Sequence, residues 1–272
     1  MADEMVDVEI YVDLMSQPSR AVLVLVQANA LPVKVCGLKI HKGEHRTDAF
    51  RAMNPLGQLP CLAERRRDTG EVVFCVAETG AVLRYLCARR FPGGVKVADH
   101  WHAPPRALSG DPTTLSEAQR LAYADAAVHW YHNTVRYGAA KLVLHKYLWR
   151  NIGVTPVEAI AEDARTRLDR ALGQIERVWL GGGAHRFVGG AMPCVADILF
   201  ASELEQLAML DAGADGVDAA QIFAPFPGVR AWLGDVKSAC GPSYEDAHRV
   251  LRRAKGARTK ALAKAKDARP KL

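Results

Sequence analysis

The stretch that decides the fold runs Val8-Glu9-Ile10-Tyr11-Val12, then Asp13-Leu14-Met15, then Ser16-Gln17-Pro18-Ser19-Arg20-Ala21-Val22. Its first five residues alternate apolar and polar before turning mostly apolar, which predicts a β-strand entering a core. From Pro18 to Asn29 the chain suits a helix, with proline at the first position, where its missing N–H costs little. Working outward, Leu31 to Ile40 is rich in valine and predicts a second strand. A polar loop follows, then the short segment Leu59-Pro60-Cys61-Leu62. A strand from Glu71 to Val76 is expected after the turn Asp68-Thr69-Gly70, and a helix from Thr79 to Arg90 with apolar residues at 82, 83, 86 and 87. The order is β-α-β, then β-β-α.

A Pro/Gly-rich stretch from Phe91 to Pro112 reads as a linker, and beyond it strand patterns stop. Thr114-Leu115-Ser116-Glu117 reads as a capping box opening a helix to about Trp149. Thr155-Pro156-Val157-Glu158 reads as a second, opening a helix to Trp179 that Gly181-Gly182-Gly183 ends. Pro193 to Leu210 and Phe226 to Lys237 predict further helices. The division is therefore residues 1–91, a linker 92–113, an all-helical part 114–248 and a basic helix or tail 249–272.

At 272 residues, 49% of them hydrophobic and 24% charged, the chain can bury the cores of two packed domains. The longest purely apolar run, Ala21 to Val26, is far short of the roughly 20 residues a bilayer span needs. The acidic opening lacks the basic-then-apolar layout of a signal peptide, so a cytoplasmic protein is expected. The net charge of +6 misleads: ten of the 36 Lys/Arg but one of the 30 Asp/Glu lie from Arg249 onward. The body is mildly acidic and the basicity reads as a solvated tail, which argues against nucleic-acid recognition. Pro270-Lys271-Leu272 only approximates a peroxisomal address, leaving peroxisome-like and nuclear destinations as alternatives. The six cysteines, at 36, 61, 75, 87, 194 and 240, form no C-x-x-C pair and fit no zinc motif. They read as scattered thiols of a reducing compartment, and no metal is expected.

Three features carry chemistry. Ser16 stands between the first strand and first helix, where unpaired N–H groups and the helix dipole favour an anion. Thioredoxin-like proteins carry a C-x-x-C pair there; with serine at both positions dithiol exchange is excluded, but a hydroxyl can donate to a thiolate that a ligand brings. Pro60 enters a strand, which requires a cis bond or an edge and leaves the peptide groups of Leu59 for an extended ligand. Glu78 and Thr79 open the next helix; the carboxylate suits an α-ammonium, and the hydroxyl with the helix N–H groups suits a carboxylate. Together they describe a site for a small zwitterionic thiol peptide. On residues alone Ser16 is equally a helix cap, Glu78 a helix-start acid, and His45 an exposed loop residue.

The sequence resembles the theta class of cytosolic glutathione transferases over nearly its whole length. The matching segments are 11–22, His41-Lys42-Gly43-Glu44-His45, Asn54 to Pro60, Asp99-His100-Trp101, Trp130 to Arg136 and Glu245 to Leu251. The resemblance implies a mixed α/β architecture: a thioredoxin-like glutathione-binding domain, then an all-α domain, in a homodimer. It implies glutathione as co-substrate, no permanently bound cofactor, and hydrophobic electrophiles as partners. By it Ser16 is the activating hydroxyl, and Arg136 faces the sulfur and the second substrate. Gln17, His45, Gln58, Leu59 (through its backbone), Glu78 and Thr79 match glutathione-binding positions. On its residues alone, Arg136 can instead close an ion pair with a neighbouring acid.

A free thiol with a pKa of about 8.5 is only a few per cent thiolate at neutral pH. Lowering it by roughly two units takes about 2.7 kcal/mol. One charge-assisted hydrogen bond supplies about 1.5–3 kcal/mol, so Ser16, the helix end and Arg136 suffice together. The expected activity is transfer of alkyl or aryl groups to glutathione, with reduction of organic hydroperoxides by the same thiolate. A non-catalytic transferase-like binding module and a glutathione-dependent dehalogenase are the alternatives. Two departures stand out. Thr79 replaces a serine but keeps the hydroxyl, and Cys194 replaces the usual Ser/Thr cap four residues before Asp197 inclusive, at an expected cost of about 1 kcal/mol.

Overall fold

The computed structural model describes residues 5–267. Strand β1 (Val6–Val12) leads into helix α1 (Gln17–Ala28) and strand β2 (Lys34–Gly37). Helix α2 (Asp48–Met53), strands β3 (Cys61–Arg66) and β4 (Val72–Ala77), and helix α3 (Thr79–Ala88) complete this half. The sheet order is β2-β1-β3-β4, with β1 parallel to β2 and antiparallel to β3, and β3 antiparallel to β4. Val8, Ile10 and Val12 point into the core, as the alternation required. The apolar run of α1 is buried throughout because the helix is covered on both sides, by the sheet and by helices of the second half.

Two details of this half differ from expectation. The second strand is four residues long and starts past Val33, because Pro32 just before it can donate nothing to a ladder. The polar loop contains α2, capped by Thr47, whose hydroxyl accepts from the Phe50 N–H at 3.3 Å.

The second half is helical: α4 (Glu117–Asn133), α5 (Val135–Val143), α6 (Trp149–Asn151), α7 (Glu158–Gln174), α8 (Val195–Leu204), α9 (Ala212–Asp215), α10 (Ala219–Phe223) and α11 (Pro227–Asp267). The single helix expected from 114 to 149 is broken. At Thr134 the backbone leaves the helical region (φ −124°, ψ −87°), and its hydroxyl bonds back to the Trp130 carbonyl at 2.6 Å. The first capping box lies two residues later than expected: Ser116 pairs with Gln119, while Thr114 belongs to a separate turn capped by Asp111. The second is not formed. Residue Val157 precedes α7, and His145 Nδ1 accepts its N–H at 3.0 Å.

Cys194 precedes α8 as expected, but the fully buried Asp197 does most of the capping. Its carboxylate accepts the backbone N–H groups of Val188 (2.7 Å), Gly189 (3.1 Å) and Cys194 (2.8 Å) and the Trp232 indole (2.8 Å). Trp101, Trp179 and Trp232 fill core space, and Trp130 packs against it. Helix α11 runs far beyond Lys237, kinked at Gly241 (φ 51°, ψ −132°), which takes up the non-helical backbone that Pro242 imposes on its predecessor. The basic segment is helical to Asp267 rather than a loose tail. Arg258 docks it, bonding Asp215 at 2.8 Å and covering the Tyr147 ring at 3.9 Å. Pro270-Lys271-Leu272 lies outside the described residues.

Candidate functional site

Three ladder registers gather the expected residues at one end of the sheet. Val12 pairs with Gly37, Tyr11 with Cys61, and Cys61 with Ala77. The exit of β1, the entry to β3 and the exit of β4 therefore lie side by side. Ser16 follows the first, Leu59 and Pro60 precede the second, and Glu78 follows the third. Segments far apart in sequence become neighbours because antiparallel pairing alternates chain direction.

Asp13 stitches the loop after β1. Its carboxylate accepts the Met15 N–H (Oδ1, 2.8 Å) and the Ile40 N–H (Oδ2, 2.8 Å), binding the residue 38–46 segment to the start of α1. Ser16 is the residue before α1, half-buried and extended (φ −81°, ψ 124°), and its hydroxyl makes no capping hydrogen bond. A serine in this position ordinarily spends its oxygen on the helix; here it does not. Gln17, also half-buried, opens the helix beside it.

His45 is buried, not exposed as a polar loop suggested, and its Nδ1 has no hydrogen-bond partner. Burial first, then the Arg46 charge, push its pKa down, so the ring is neutral at pH 7. The His45 carbonyl lies 3.2 Å from where a side chain on Gly57 would begin, and Gly57 has φ 58°; only glycine lets the Gln58 turn approach so closely. Gln58 is exposed, its carbonyl accepting from Asn54 Nδ2 at 2.9 Å. Of the two readings the sequence left open, a cis bond or an edge strand, the Leu59–Pro60 bond takes the first: it is cis, β3 is interior to the sheet, and Leu59 stands ahead of the ladder, which starts at Cys61.

Glu78 has φ 69°, and only one other non-glycine residue, Ala30, has a positive φ among the described residues. Holding a non-glycine residue there costs on the order of 1–3 kcal/mol, and such residues concentrate where a side chain must be aimed. Its carboxylate makes no capping bond and is exposed at the head of α3, next to the buried Thr79. A cavity of ≈470 Å³ between α3 and α4 is lined by Glu78, Gly80, His129 and His132 among others.

Arg136 is on α5, where its guanidinium bonds Glu203 at 2.8 Å, and His132, which lines the Glu78 cavity, feels the charges of both Arg136 and Glu78. The ion pair that its residues alone allowed is formed, while about a third of the side chain stays exposed. Glu203 is fully buried and also accepts from the Tyr131 hydroxyl. One residue away, the Ser202 carbonyl accepts from Arg20 of α1, so the Arg136–Glu203 pair lies beside the contact between α1 and α8.

Sequence reading missed Asp13, Arg20 and Glu203. Glu203 left a faint signal, a charge following the apolar residues Ile198 to Ala201 on one helix, which calls for a buried partner; Arg20 left none, since it follows the polar Ser16-Gln17-Pro18-Ser19. Asp13 left none, because a loop aspartate is ordinary.

Comparison with known proteins agrees with this geometry. Residues 8–88 match the glutathione S-transferase N-terminal domain family. Glutathione S-transferase theta-1 of Bos taurus is 30% identical over 249 residues, 91% of this chain and 90% of that one. Glutathione S-transferase T1 of Arabidopsis thaliana is 29% identical over 247 residues, 91% and 90% of the two chains. Human glutathione transferase theta-2, solved with glutathione and an unknown ligand, superposes with a TM-score of 0.74 at 27% identity, covering 93% of this chain and 91% of that one. The two-part architecture, the arrangement at the sheet end and these relatives converge: the chain belongs to the theta class of glutathione transferases.

Proposed function

We propose that the chain binds glutathione across the sheet end and uses the Ser16 hydroxyl to hold its sulfur as a thiolate. The observation that carries the reading is a serine before a helix that leaves its hydroxyl uncommitted, beside the cis Leu59–Pro60 bond and the strained, outward Glu78. Glu78 receives the ammonium of the γ-glutamyl end, and Thr79 with the first N–H groups of α3 receives the carboxylate beside it. Leu59 pairs its peptide groups with the cysteinyl residue, and His45, Gln58 and Gln17 line the remainder. The thiol proton leaves to water as Ser16 O–H donates to the sulfur. The sulfur then forms a bond to an electrophilic carbon of a hydrophobic substrate, whose leaving group departs with the electron pair.

With an organic hydroperoxide the sulfur attacks oxygen, releasing an alcohol and a sulfenic acid. A second glutathione converts that to the disulfide and water. Arg136, anchored by Glu203, turns its exposed part toward the electrophile. Replacing Ser16 by Ala should cut turnover more than tenfold with glutathione binding largely kept; unchanged turnover rejects the role.

The domain limits are taken as 1–91 and 114–248, joined by 92–113, with 249–272 as a basic helix or tail. A homodimer would cover Val73 and Phe74, 48% and 39% exposed on the edge strand β4, and light scattering gives its mass. None of the described helices is long and apolar enough to cross a membrane. We place the protein in the cytoplasm, and a fluorescent fusion with and without the last three residues tests this: organelle-bound signal only with them present would replace it.

A further inference from the structure

Arg20 is fully buried in α1, yet its hydrogen bonds go to neutral oxygens. One guanidinium nitrogen donates to the carbonyls of Leu14 (3.0 Å) and Met15 (3.2 Å), the two residues before Ser16. The other donates to the Ser202 carbonyl and to Gln206 Oε1, both at 2.9 Å, in and just beyond α8. In addition the Arg20 backbone N–H bonds the Ser16 carbonyl at 3.2 Å. A single side chain thus clamps the Ser16 loop from behind and ties it to the second half of the molecule.

Burying a cation among carbonyls is costly unless its charge is used or compensated. The charged and titratable groups around it come from four elements. They are Tyr131 on α4, Arg136 on α5, Glu203 on α8 with Glu205 just after it, and Tyr244, His248 and Arg252 on α11. Glu203 bonds Arg136 and shares its charge with Arg20, and Glu205 bonds Lys237 (2.6 Å) and Arg252 (3.6 Å), so two carboxylates face four cations. Burial and then Arg20 push the His248 pKa down to about 3, so its ring adds no charge. Burial also lowers Arg20 itself, to about 10, which leaves it charged at neutral pH. The layer behind the loop therefore retains positive charge in a low-dielectric setting, where it is little screened.

We propose that Arg20 is a positioning residue for the transferase reaction: its clamp on the Leu14 and Met15 carbonyls fixes the Ser16 hydroxyl, and its buried charge favours the thiolate form of bound glutathione. This rests on the Ser16 reading above and extends it to a residue that never touches substrate. Grip and charge separate by substitution. Arg20→Gln removes the charge and most of the clamp, and Arg20→Lys keeps the charge but cannot hold both carbonyls and Gln206 at once. Gln206→Glu keeps the clamp while setting a carboxylate against the guanidinium.

The test is the pH titration of thiolate absorbance for glutathione bound to each purified variant, with kcat and KM across pH. Arg20→Gln should raise the apparent thiol pKa by about one unit, a roughly threefold loss of thiolate at pH 7, with kcat partly recovered in alkali. Arg20→Lys should keep the thiol pKa near that of the unaltered protein but lose kcat through misplacement of Ser16. Gln206→Glu should raise the pKa without changing the KM for glutathione, and it decides the matter if Arg20→Gln does not fold. Folded Arg20→Gln or Gln206→Glu with the original titration and kcat overturns the proposal. If Ser16→Ala leaves the titration unchanged while Gln206→Glu shifts it, the Ser16 reading fails and the charge of Arg20 stands.

Discussion

Two regions of the molecule treat their polar groups in opposite ways. Around Asp197 they are consumed: one carboxylate takes three backbone N–H groups and an indole, and nothing at that centre reaches solvent. At the sheet end they are withheld. The Ser16 hydroxyl caps nothing, Glu78 caps nothing while sitting at a positive φ, and His45 Nδ1 is buried without a partner. The first pattern is what stability asks of buried polar groups. The second costs stability, the cost that the proposed glutathione site would offset on binding. Damage to the Asp197 centre should thus appear in unfolding, and damage at the sheet end in kinetics.

The largest effect should come from Asp197→Ala. It strands four donors in the core and should cost about 4 kcal/mol in urea unfolding, with KM for glutathione nearly unchanged in whatever remains folded. A cost below about 1 kcal/mol would erase the contrast.

Glu9, buried on β1, offers the same test through pH. Burial pushes its pKa up, but hydrogen bonds from Lys34, Tyr11 and Arg65 outweigh this and hold it at about 2. A folded-state pKa below the unfolded value means that this stability is present above about pH 4.5 and is lost as pH falls toward 2. The loss should amount to about 2–3 kcal/mol, allowing for screening through the exposed Lys34, and Glu9→Gln should flatten that part of the curve.

The smallest stability change, and the sharpest test of the contrast, is Glu78→Gly. Glycine relieves the positive φ and should gain about 0.5–1 kcal/mol of stability. The KM for glutathione should meanwhile rise about tenfold through loss of one charge-assisted contact. A variant less stable and equally active would mean that Glu78 is scaffold.

Much of this was legible in the sequence, for physical reasons that differ by region. The strand–helix order of the first ninety residues followed from alternation and turn residues; the conflict between proline and a ladder left a cis bond or an edge strand, and the interior place of β3 goes with the cis bond. Ser16, Leu59 and Glu78 could be singled out because each sits where a strand meets a helix or a ladder begins. The helical half was less legible. The break at Thr134 depends on one hydroxyl turning back to the Trp130 carbonyl, and α7 starts after Val157 because His145, twelve residues earlier, takes its N–H. Such pairings are tertiary and leave no periodic trace. The ion pair of Arg136 was one of two readings, and its partner Glu203 became apparent only with α5 packed on α8. The reach of α11 past Gly241 and Pro242 was hidden because those two residues are a helix stop in sequence and only a kink in the fold.

The central claim is that the Ser16 hydroxyl keeps the sulfur of bound glutathione ionised. Its most direct test is thiolate absorbance of the glutathione complex at neutral pH, in the unaltered protein and in Ser16→Ala matched for bound glutathione. We predict a strong thiolate signal in the first and its loss in the second, with the apparent pKa returning toward the free-thiol value of about 8.5. Equal signals in the two proteins would contradict the account.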